Sequence, residues 1–349
     1  QGGRLAAGND YFSVIMKRIM IKIVSSILTT IDKVKLLFKP KWRLERETIV
    51  ISPTSWKSFT PPLNSSRIKD LQYDIKYLEL NSIKRSDFSK IIAYIGKLEV
   101  GQLKLFGQEL QWLQIPSHGA NGFERKSLYK NENVVVSCVK DVYSDPIAQY
   151  CISAYYLFNT YSFRPKGKKS DRCDIIPDKV SIMIFGVGNI GMTLAKKCYQ
   201  MGWSVFGVKR HVPEHLPECM KAIYTLDEAM THLKDADYIV NILPEDDSTK
   251  KIYDIEFFKA MKSNALFCNV GRKSAVIDKD IAYAVQNGII RGAILDVHDD
   301  YNYNTPDIIL TGHSSSVSRG NDEKFDRYFS VQLNAFLDGQ EIKNQITLR

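Results

Sequence analysis

The sequence of 349 residues lacks a long apolar run. A helix that crosses a bilayer needs about 18 consecutive apolar residues. The most apolar region lies near the N-terminus and is interrupted by charged side chains, namely Lys17, Arg18, Lys22, Asp32 and Lys33. The sequence therefore predicts no membrane span.

Cysteine is scarce, and its spacing forms no known pattern. The chain has six cysteines, with no CxxC pair and no histidine spaced to complete a zinc site. We expect free thiols in a reducing compartment, namely the cytoplasm, and no bound metal. A structural zinc site or a disulfide framework is the alternative. The cysteines are Cys138, Cys151, Cys173, Cys198, Cys219 and Cys268.

The chain has fewer acidic than basic residues: it contains 48 Lys and Arg and 39 Asp and Glu, which gives a net charge of +9. A basic balance favours nucleic acid, an anionic membrane or a phosphorylated ligand as partner, without choosing among them. Residues 1–47 hold ten of the basic and four of the acidic residues, so the other 302 residues carry only +3. The excess charge belongs mainly to an N-terminal extension, and we expect no nucleic-acid partner for the body of the protein.

This extension, residues 1–47, has the pattern of a basic amphipathic helix. Its apolar residues recur at spacings of three and four, and they are Met16, Met20, Ile23, Ile27, Ile31, Val34 and Phe38. One interpretation is a helix docked on the protein itself or on a second subunit. A membrane-surface helix or an organelle presequence is the alternative. Because Gln1 is not an initiating residue, part of 1–15 is interpreted as vector-derived, with Met16 or Met20 as the expected start.

Short apolar runs alternate with helical patterns along the rest of the chain. Strands are predicted at 49–52, 75–80, 112–115, 134–139, 180–185, 204–208, 238–242, 265–270, 290–295 and 308–310. Helices are predicted at 88–98, 144–163, 190–201, 226–233, 255–261, 278–287 and 323–337. Such alternation is typical of α/β proteins with parallel sheets. The basic segment 164–172 is interpreted as the crossing between two such units.

A glycine-rich loop, GVGNIG at 186–191, follows a predicted strand and opens a predicted helix. In that setting Gly186 permits a tight turn, Gly188 lets the backbone approach a pyrophosphate, and Gly191 allows close helix packing. Free N–H groups at the helix start, Asn189 and Ile190, favour an anion. The loop predicts a dinucleotide site.

No carboxylate stands after the next strand, where NAD-preferring sites place an acid to bind the ribose 2′-hydroxyl. Lys209, Arg210 and His211 occupy that position instead. Because cations there stabilise a 2′-phosphate, we expect NADP as the cofactor, with NAD as the alternative.

Two residue types suited to reducing a carbonyl of an acidic substrate follow later strands. Arg272 offers a planar fork for a carboxylate, and His313 is a histidine, the residue type best suited to donate a proton near neutral pH. The carboxyl ends of parallel strands line the ligand crevice. We therefore expect these two side chains to converge.

The order of these motifs resembles the D-isomer-specific 2-hydroxyacid dehydrogenases, and within them the glyoxylate/hydroxypyruvate reductase branch. The resemblance covers about residues 48–340 and rests on segments 114–120, 144–150, 186–191, 241–249, 261–272, 292–297 and 309–313. It implies two doubly wound parallel-sheet domains with a cleft between them and a homodimer. The domains would be a discontinuous substrate domain, 48–145 with 314–349, and a larger Rossmann-type dinucleotide domain, 146–313.

The resemblance also implies roles for individual residues. Arg272 would bind the carboxylate of a small 2-oxoacid, and His313 would protonate its carbonyl oxygen. Asp296 would accept from the nicotinamide carboxamide. The other implied cofactor contacts are Leu243, Pro244, Thr249, Val270 and Gly271, and the implied substrate contacts are the backbone near His118, Gly119 and Ala120.

The chain departs from the family at the acid that pairs with the catalytic histidine. Tyr301 stands where the family has Glu, and Asp300 is the predicted substitute; Lys273 and Gln149 replace a Gly and a Glu. The changed acid loop and the basic extension favour an alternative function, a weakly active or inactive nucleotide-sensing or interaction protein on the same scaffold.

Overall fold

The computed structural model describes residues 42–52, 73–120, 122–160, 179–299, 301–318 and 320–349. The predicted N-terminal helix and the predicted crossing at 164–172 lie outside the described residues, so both stay predictions. Within the described residues, no helix is both long enough and apolar enough to cross a membrane.

Five parallel strands form the first sheet, in the order β2-β1-β3-β4-β5. They are β1 (Thr48–Ile51), β2 (Asp74–Tyr77), β3 (Ile91–Ile95), β4 (Trp112–Ile115) and β5 (Val135–Cys138). The three central strands are buried along their whole length. Because both faces of these strands are buried, their residues are mostly apolar, as is usual in parallel sheets, and Thr48 and Gln114 are the buried polar exceptions.

The helix predicted at 88–98 is wrong. A short 3₁₀ helix (Arg85–Lys90) is followed directly by β3, all five residues of which are buried. A run of five apolar residues is apolar on every side, so periodicity does not separate a central strand from a buried helix. The β-branched and aromatic residues of this run favour the strand.

Seven parallel strands form the second sheet, in the order β12-β11-β10-β9-β6-β7-β8. They are β6 (Ser181–Phe185), β7 (Ser204–Val208), β8 (Ala222–Tyr224), β9 (Tyr238–Asn241), β10 (Leu266–Asn269), β11 (Gly292–Leu295) and β12 (Ile308–Leu310). The sequence analysis predicts all of them except β8, whose three residues, Ala-Ile-Tyr, form a weaker apolar run than the Ile-Ile-Leu of the equally short β12.

Six α-helices accompany the two sheets in the described chain. They are α1 (Ser144–Asn159), α2 (Asn189–Gln200), α3 (Leu226–His232), α4 (Ile255–Ala260), α5 (Asp278–Gln286) and α6 (Asn321–Leu337). Helices α1 and α2 bury apolar side chains on one face of the second sheet, and α3, α4 and α5 do so on the other. The predicted α/β class with two parallel sheets is confirmed.

The C-terminal helix α6 returns to the first sheet. Phe325, Phe329 and Leu333 of α6 pack against Ile49 and Ile51 of β1. The chain after α6 then runs beside β5, where the backbone N–H of Ile346 donates to Val136 O over 2.7 Å. A discontinuous substrate domain requires this packing, while its exact boundaries stay a prediction.

Candidate active site

A cleft of about 1460 Å³ opens at the carboxyl ends of strands from both sheets. All strands of the second sheet are parallel, and strand order reverses between β6 and β9. Ligands of α/β proteins bind at such a point. Of the predicted site residues, the cleft is lined by His118, Gly119, Ala120, Gly186, Gly188, Asn189, Ile190, Gly191, Leu243, Pro244, Val270, Gly271, Arg272 and His313.

The glycine loop between β6 and α2 has the shape of a cradle. Gly186 has a φ of 106°, which side chains disfavour, and a Cβ on Gly191 would lie 2.1 Å from Gly186 O. A Cβ on Gly188 would meet nothing within 4 Å, so the open space lies beside this residue. Helix α2 begins at the next residue, Asn189, and its first N–H groups favour an anion there. The residues present fit a dinucleotide pyrophosphate.

Two buried asparagines hold the segment that carries Arg272. Asn241 Nδ2 donates to Asn269 Oδ1 over 2.8 Å, and Asn269 Nδ2 donates to Arg272 O over 3.1 Å. The backbone N–H of Gly271 also donates to Asn269 Oδ1, over 3.1 Å. Because both amides are fully buried at the ends of adjacent strands, they fix the turn. The half-buried Arg272 side chain in turn donates to Gly271 O over 2.8 Å.

The charge of Arg272 also affects the pKa of His118, which lies in the loop after β4. Burial is the main influence that lowers the pKa of His118, and the charge of Arg272 lowers it further. These influences outweigh the main-chain groups of Val139 and Lys140, which raise it. His118 is therefore neutral near pH 7. The cationic side chains that line the cleft are those of Arg125, Lys250, Arg272 and Arg349.

His313 lies in a turn after β12, and hydrogen bonds to the buried residue Asp296 hold this turn in place. Its φ is 53°, and its side chain is exposed to the cleft. The backbone N–H of His313 donates to Asp296 O over 3.0 Å. The Asp296 carboxylate accepts from Thr311 Oγ1 (2.5 Å), Ser314 N (2.8 Å) and Ser315 N (3.0 Å). Asp296 is thus the anchor of the His313 turn.

Asp296 does not line the cleft and is 1% exposed. Its predicted contact with a nicotinamide carboxamide stays a prediction. Burial is the largest influence on its pKa and raises it, but hydrogen bonds from Ser315, Thr311 and the backbone together outweigh burial, so the pKa is lowered. The carboxylate is accordingly ionised in the folded protein.

We expect Asp296→Asn to destabilise the protein by about 1–3 kcal/mol, because an NH₂ group would replace an acceptor oxygen that faces donors. Since the folded-state pKa of Asp296 is lowered, the extra stability of the wild type over Asp296→Asn is fully present above the ordinary carboxyl pKa of about 3.9. It disappears as the pH falls through the lowered pKa. Urea unfolding of both proteins between neutral and acidic pH measures this.

Asp227→Asn, at an exposed position of α3, is the matched control and should change stability little. A pH-independent difference between the wild type and Asp296→Asn would contradict the assignment of an ionised, hydrogen-bonded carboxylate.

No carboxylate among the described residues is hydrogen-bonded or ion-paired to the His313 side chain. Asp300, the predicted partner, lies outside the described residues and stays a prediction. Its neighbour Asp299 forms an ion pair with Lys273. The Tyr301 ring packs edge-on against Tyr303, with ring centroids 5.0 Å apart. Tyr301, which the family resemblance predicts to stand in place of a Glu, thus makes an aromatic contact in this chain.

Three further predicted residues lie outside the cleft lining. Lys209 and Arg210 follow β7 and are exposed, and the guanidinium of Arg210 pairs with Asp246 over 2.9 Å. Thr249 is buried, and its hydroxyl donates to Pro244 O over 2.8 Å. Thr249 thus closes the 244–249 loop, and its contact with a cofactor stays a prediction.

Sequence reasoning assigned no role to several residues that shape the cleft. Asn241 and Asn269 are polar residues at the ends of apolar strands, a signal that was available in the sequence. Tyr143 and Asp246 line the cleft from loops whose course no local pattern gives. Five described cysteines are free and buried, and no group of three or more potential metal-ligating side chains occurs in the described segments.

Comparison with known proteins places the second sheet in a family. Residues 167–315 match the family described as D-isomer specific 2-hydroxyacid dehydrogenase, NAD binding domain. The chain is 35% identical over 119 residues to glyoxylate/hydroxypyruvate reductase B of Escherichia coli (strain SMS-3-5 / SECEC). That alignment covers 33% of this chain and 36% of the relative, so it spans about a third of the relative's length.

Solved structures share the fold over most of the chain. A D-isomer specific 2-hydroxyacid dehydrogenase family protein from Aeromonas salmonicida superposes with a TM-score of 0.68 at 21% identity, covering 86% of this chain and 99% of its own. An NADPH-dependent glyoxylate/hydroxypyruvate reductase from Sinorhizobium meliloti, solved with NADP and sulfate, has a TM-score of 0.68 at 18% identity, covering 86% and 98%. A D-lactate dehydrogenase from Aquifex aeolicus, complexed with NAD and lactic acid, has a TM-score of 0.66 at 18% identity, covering 86% and 99%. Residues 167–315 thus match the NAD-binding domain of the D-isomer specific 2-hydroxyacid dehydrogenase family, and the solved structures share the fold of the chain.

Proposed function

We propose that this protein is an NADPH-dependent reductase that converts a small 2-oxoacid, such as glyoxylate or hydroxypyruvate, to the D-2-hydroxyacid. The observation that carries the proposal is the convergence of Arg272, His313 and the Gly186–Gly191 loop on one cleft. The relative from Escherichia coli, which bears the name glyoxylate/hydroxypyruvate reductase B, supports this substrate class.

The roles of the side chains follow from their chemistry. A reduced nicotinamide bound in the cleft would supply the hydride. Arg272 holds the substrate carboxylate with its guanidinium fork, and the His118–Ala120 loop closes the opposite side of the substrate. His313 gives a proton to the carbonyl oxygen as that oxygen becomes an alcohol. Leu243, Pro244 and Val270 contribute apolar groups to the lining of the cleft.

The preference for NADPH rests on the end of β7. Lys209 and Arg210 stand there, and no acid does. A dianionic 2′-phosphate is attracted to such a pair, whereas a 2′-hydroxyl gains little from it. The structural relatives include one solved with NADP and one complexed with NAD, so the fold serves both cofactors.

We expect Lys209→Asp to weaken NADPH binding by about tenfold or more, which corresponds to ~1.4 kcal/mol or more. Charge reversal repels the 2′-phosphate, so NADH binding should change far less. Titration of the fluorescence of the reduced nicotinamide gives both dissociation constants. Lys234→Asp, an equal charge change at an exposed site beside the amino end of β9, is the control. Equal loss of NADH and NADPH binding would contradict the proposed phosphate contact.

The test of the proposed function is an assay with purified protein, NADPH and a panel of 2-oxoacids that includes glyoxylate, hydroxypyruvate and pyruvate. We expect the near-ultraviolet absorbance of NADPH to fall with at least one of them. Chiral analysis of the product should give the D-isomer. Binding of NADPH without turnover of any panel member would overturn the proposal.

A second candidate function is a nucleotide-sensing or interaction protein without significant turnover. The specific observation that favours it is that, in the described part of the chain, no carboxylate is hydrogen-bonded or ion-paired to the His313 side chain, while Asp299 is engaged by Lys273. The same assay separates the two candidates, because only the second predicts cofactor binding without oxidation. A homodimer and a cytoplasmic location stay predictions from the family resemblance and from the free thiols.

A further inference from the structure

Arg210, one of the two cations at the end of β7, already has an anionic partner. Its guanidinium donates to Asp246 Oδ2 over 2.9 Å and to Ser248 Oγ over 3.3 Å. Asp246 comes from the 244–249 loop after β9, on the far side of β6 in the sheet. The loop therefore reaches across the end of β6 to meet Arg210.

Asp246 is held in place as an ionised group. Its Oδ1 accepts from the backbone N–H of Ser248 over 2.8 Å and from Ser248 Oγ over 2.6 Å. These hydrogen bonds, followed by the bond from Arg210, hold the pKa of the Asp246 carboxyl far below its ordinary value. The loop is further closed by Thr249, whose Oγ1 accepts from the Asp246 N–H over 3.0 Å.

The two members of this pair differ in their relation to the cleft. Asp246 lines it, whereas neither Arg210 nor Lys209 does. The carboxylate thus stands between the cleft and the guanidinium. Lys209 makes no ion pair among the described side chains and remains available to a ligand.

We propose that Asp246 is a determinant of cofactor choice: it reduces the preference for NADPH over NADH because it occupies Arg210, one of the two cations that would bind a 2′-phosphate. The inference rests on the proposed cofactor function. NAD-preferring sites place an acid after the strand that corresponds to β7, and none stands there in this chain. In this proposal, Asp246 of the loop after β9 takes the place of that acid.

The physical reason is a competition between two anions for one guanidinium. A 2′-phosphate has to displace the Asp246 carboxylate or bind next to it, and either costs part of the attraction that Arg210 offers. A 2′-hydroxyl is uncharged and is not repelled by a carboxylate, to which it can donate. Asp246 therefore penalises NADPH and spares NADH.

The experiment compares dinucleotide binding by the wild type and Asp246→Asn, without substrate, through the fluorescence of NADPH and NADH. Asparagine keeps an acceptor oxygen for the Ser248 N–H, so the loop turn is preserved. We expect the dissociation constant for NADPH to fall by about five- to tenfold, while that for NADH changes by about twofold or less. Asp247→Asn is the matched control, since the Asp247 side chain is 96% exposed and pairs with Lys250.

A double-mutant cycle with Arg210→Ala tests the mechanism. In the wild-type background this change should weaken NADPH binding only slightly, because Arg210 is already engaged. In the Asp246→Asn background it should remove the gained affinity. Arg210→Ala alone keeps the inference testable even if Asp246→Asn folds poorly: a loss of NADPH affinity as large as that of Lys209→Asp would overturn it.

The outcomes separate this inference from the proposed function. An unchanged ratio of the two dissociation constants in Asp246→Asn, or a gain that persists with Arg210→Ala, overturns the role of Asp246 while dinucleotide binding stands. Absence of binding of both dinucleotides by the wild type overturns the cofactor function and this inference together.

Discussion

Replacing His313 with asparagine should lower kcat by about 10²–10⁴-fold, because the carbonyl oxygen loses its proton donor in the transition state. Asparagine suits the test, since it tolerates the left-handed backbone of this position, where φ is 53°. The turn held by Asp296 should therefore persist. We expect the dissociation constant for NADPH to stay within about twofold of the wild type, a change under ~0.5 kcal/mol.

The matched control is His298→Asn, which changes a histidine near the same strand ends. His298 follows β11, contacts the backbone of Asp299 over 2.9 Å and does not line the cleft. Steady-state kinetics with the best 2-oxoacid, together with fluorescence titration of NADPH, give the two quantities. Retention of most of the wild-type kcat by His313→Asn would remove His313 from the mechanism and assign the proton to another donor.

The His313 experiment also bears on the missing acid. In this structure the His313 side chain has no carboxylate partner among the described residues, and Lys273 engages Asp299. Assistance by Asp300 therefore stays a prediction, and a loss of kcat in Asp300→Asn that is absent in the His313→Asn background would support it.

Sequence periodicity predicted most of the second sheet because each strand there is an apolar run bounded by turns and helices. It failed at β3, where a buried central strand and a helix share one apolar pattern. It missed β8, Ala-Ile-Tyr, but found the equally short edge strand β12, Ile-Ile-Leu. In such short strands the apolar character of the run decides whether a local pattern is visible.

The site was predictable where strand ends carry polar residues. Arg272, His313 and the glycine loop follow three different strands, and the parallel sheet brings them to one cleft. The pairing of Arg210 with Asp246 was not predictable, because it depends on how the 244–249 loop crosses the end of β6. The anchoring role of Asp296 likewise depends on the fold, which brings Thr311, Ser314 and Ser315 back to its carboxylate.

Replacing Arg272 with lysine should lower kcat/KM for the 2-oxoacid by about 10²–10³-fold, a loss of ~3–4 kcal/mol. Lysine keeps the positive charge but lacks the planar fork that binds a carboxylate through two parallel hydrogen bonds. The Asn241–Asn269 pair holds the turn through Arg272 O, a main-chain group, so the substitution leaves that support intact. NADPH binding should change little.

Lys273→Met is the matched control, because it removes the neighbouring positive charge and keeps the fork. Lys273 is exposed, pairs with Asp299 and does not line the cleft. If the geometry of the guanidinium governs substrate binding, Arg272→Lys raises KM strongly and Lys273→Met does not. If net charge near the cleft governs substrate binding, Lys273→Met raises KM more than Arg272→Lys does. Arg272 then has no special role in holding the carboxylate.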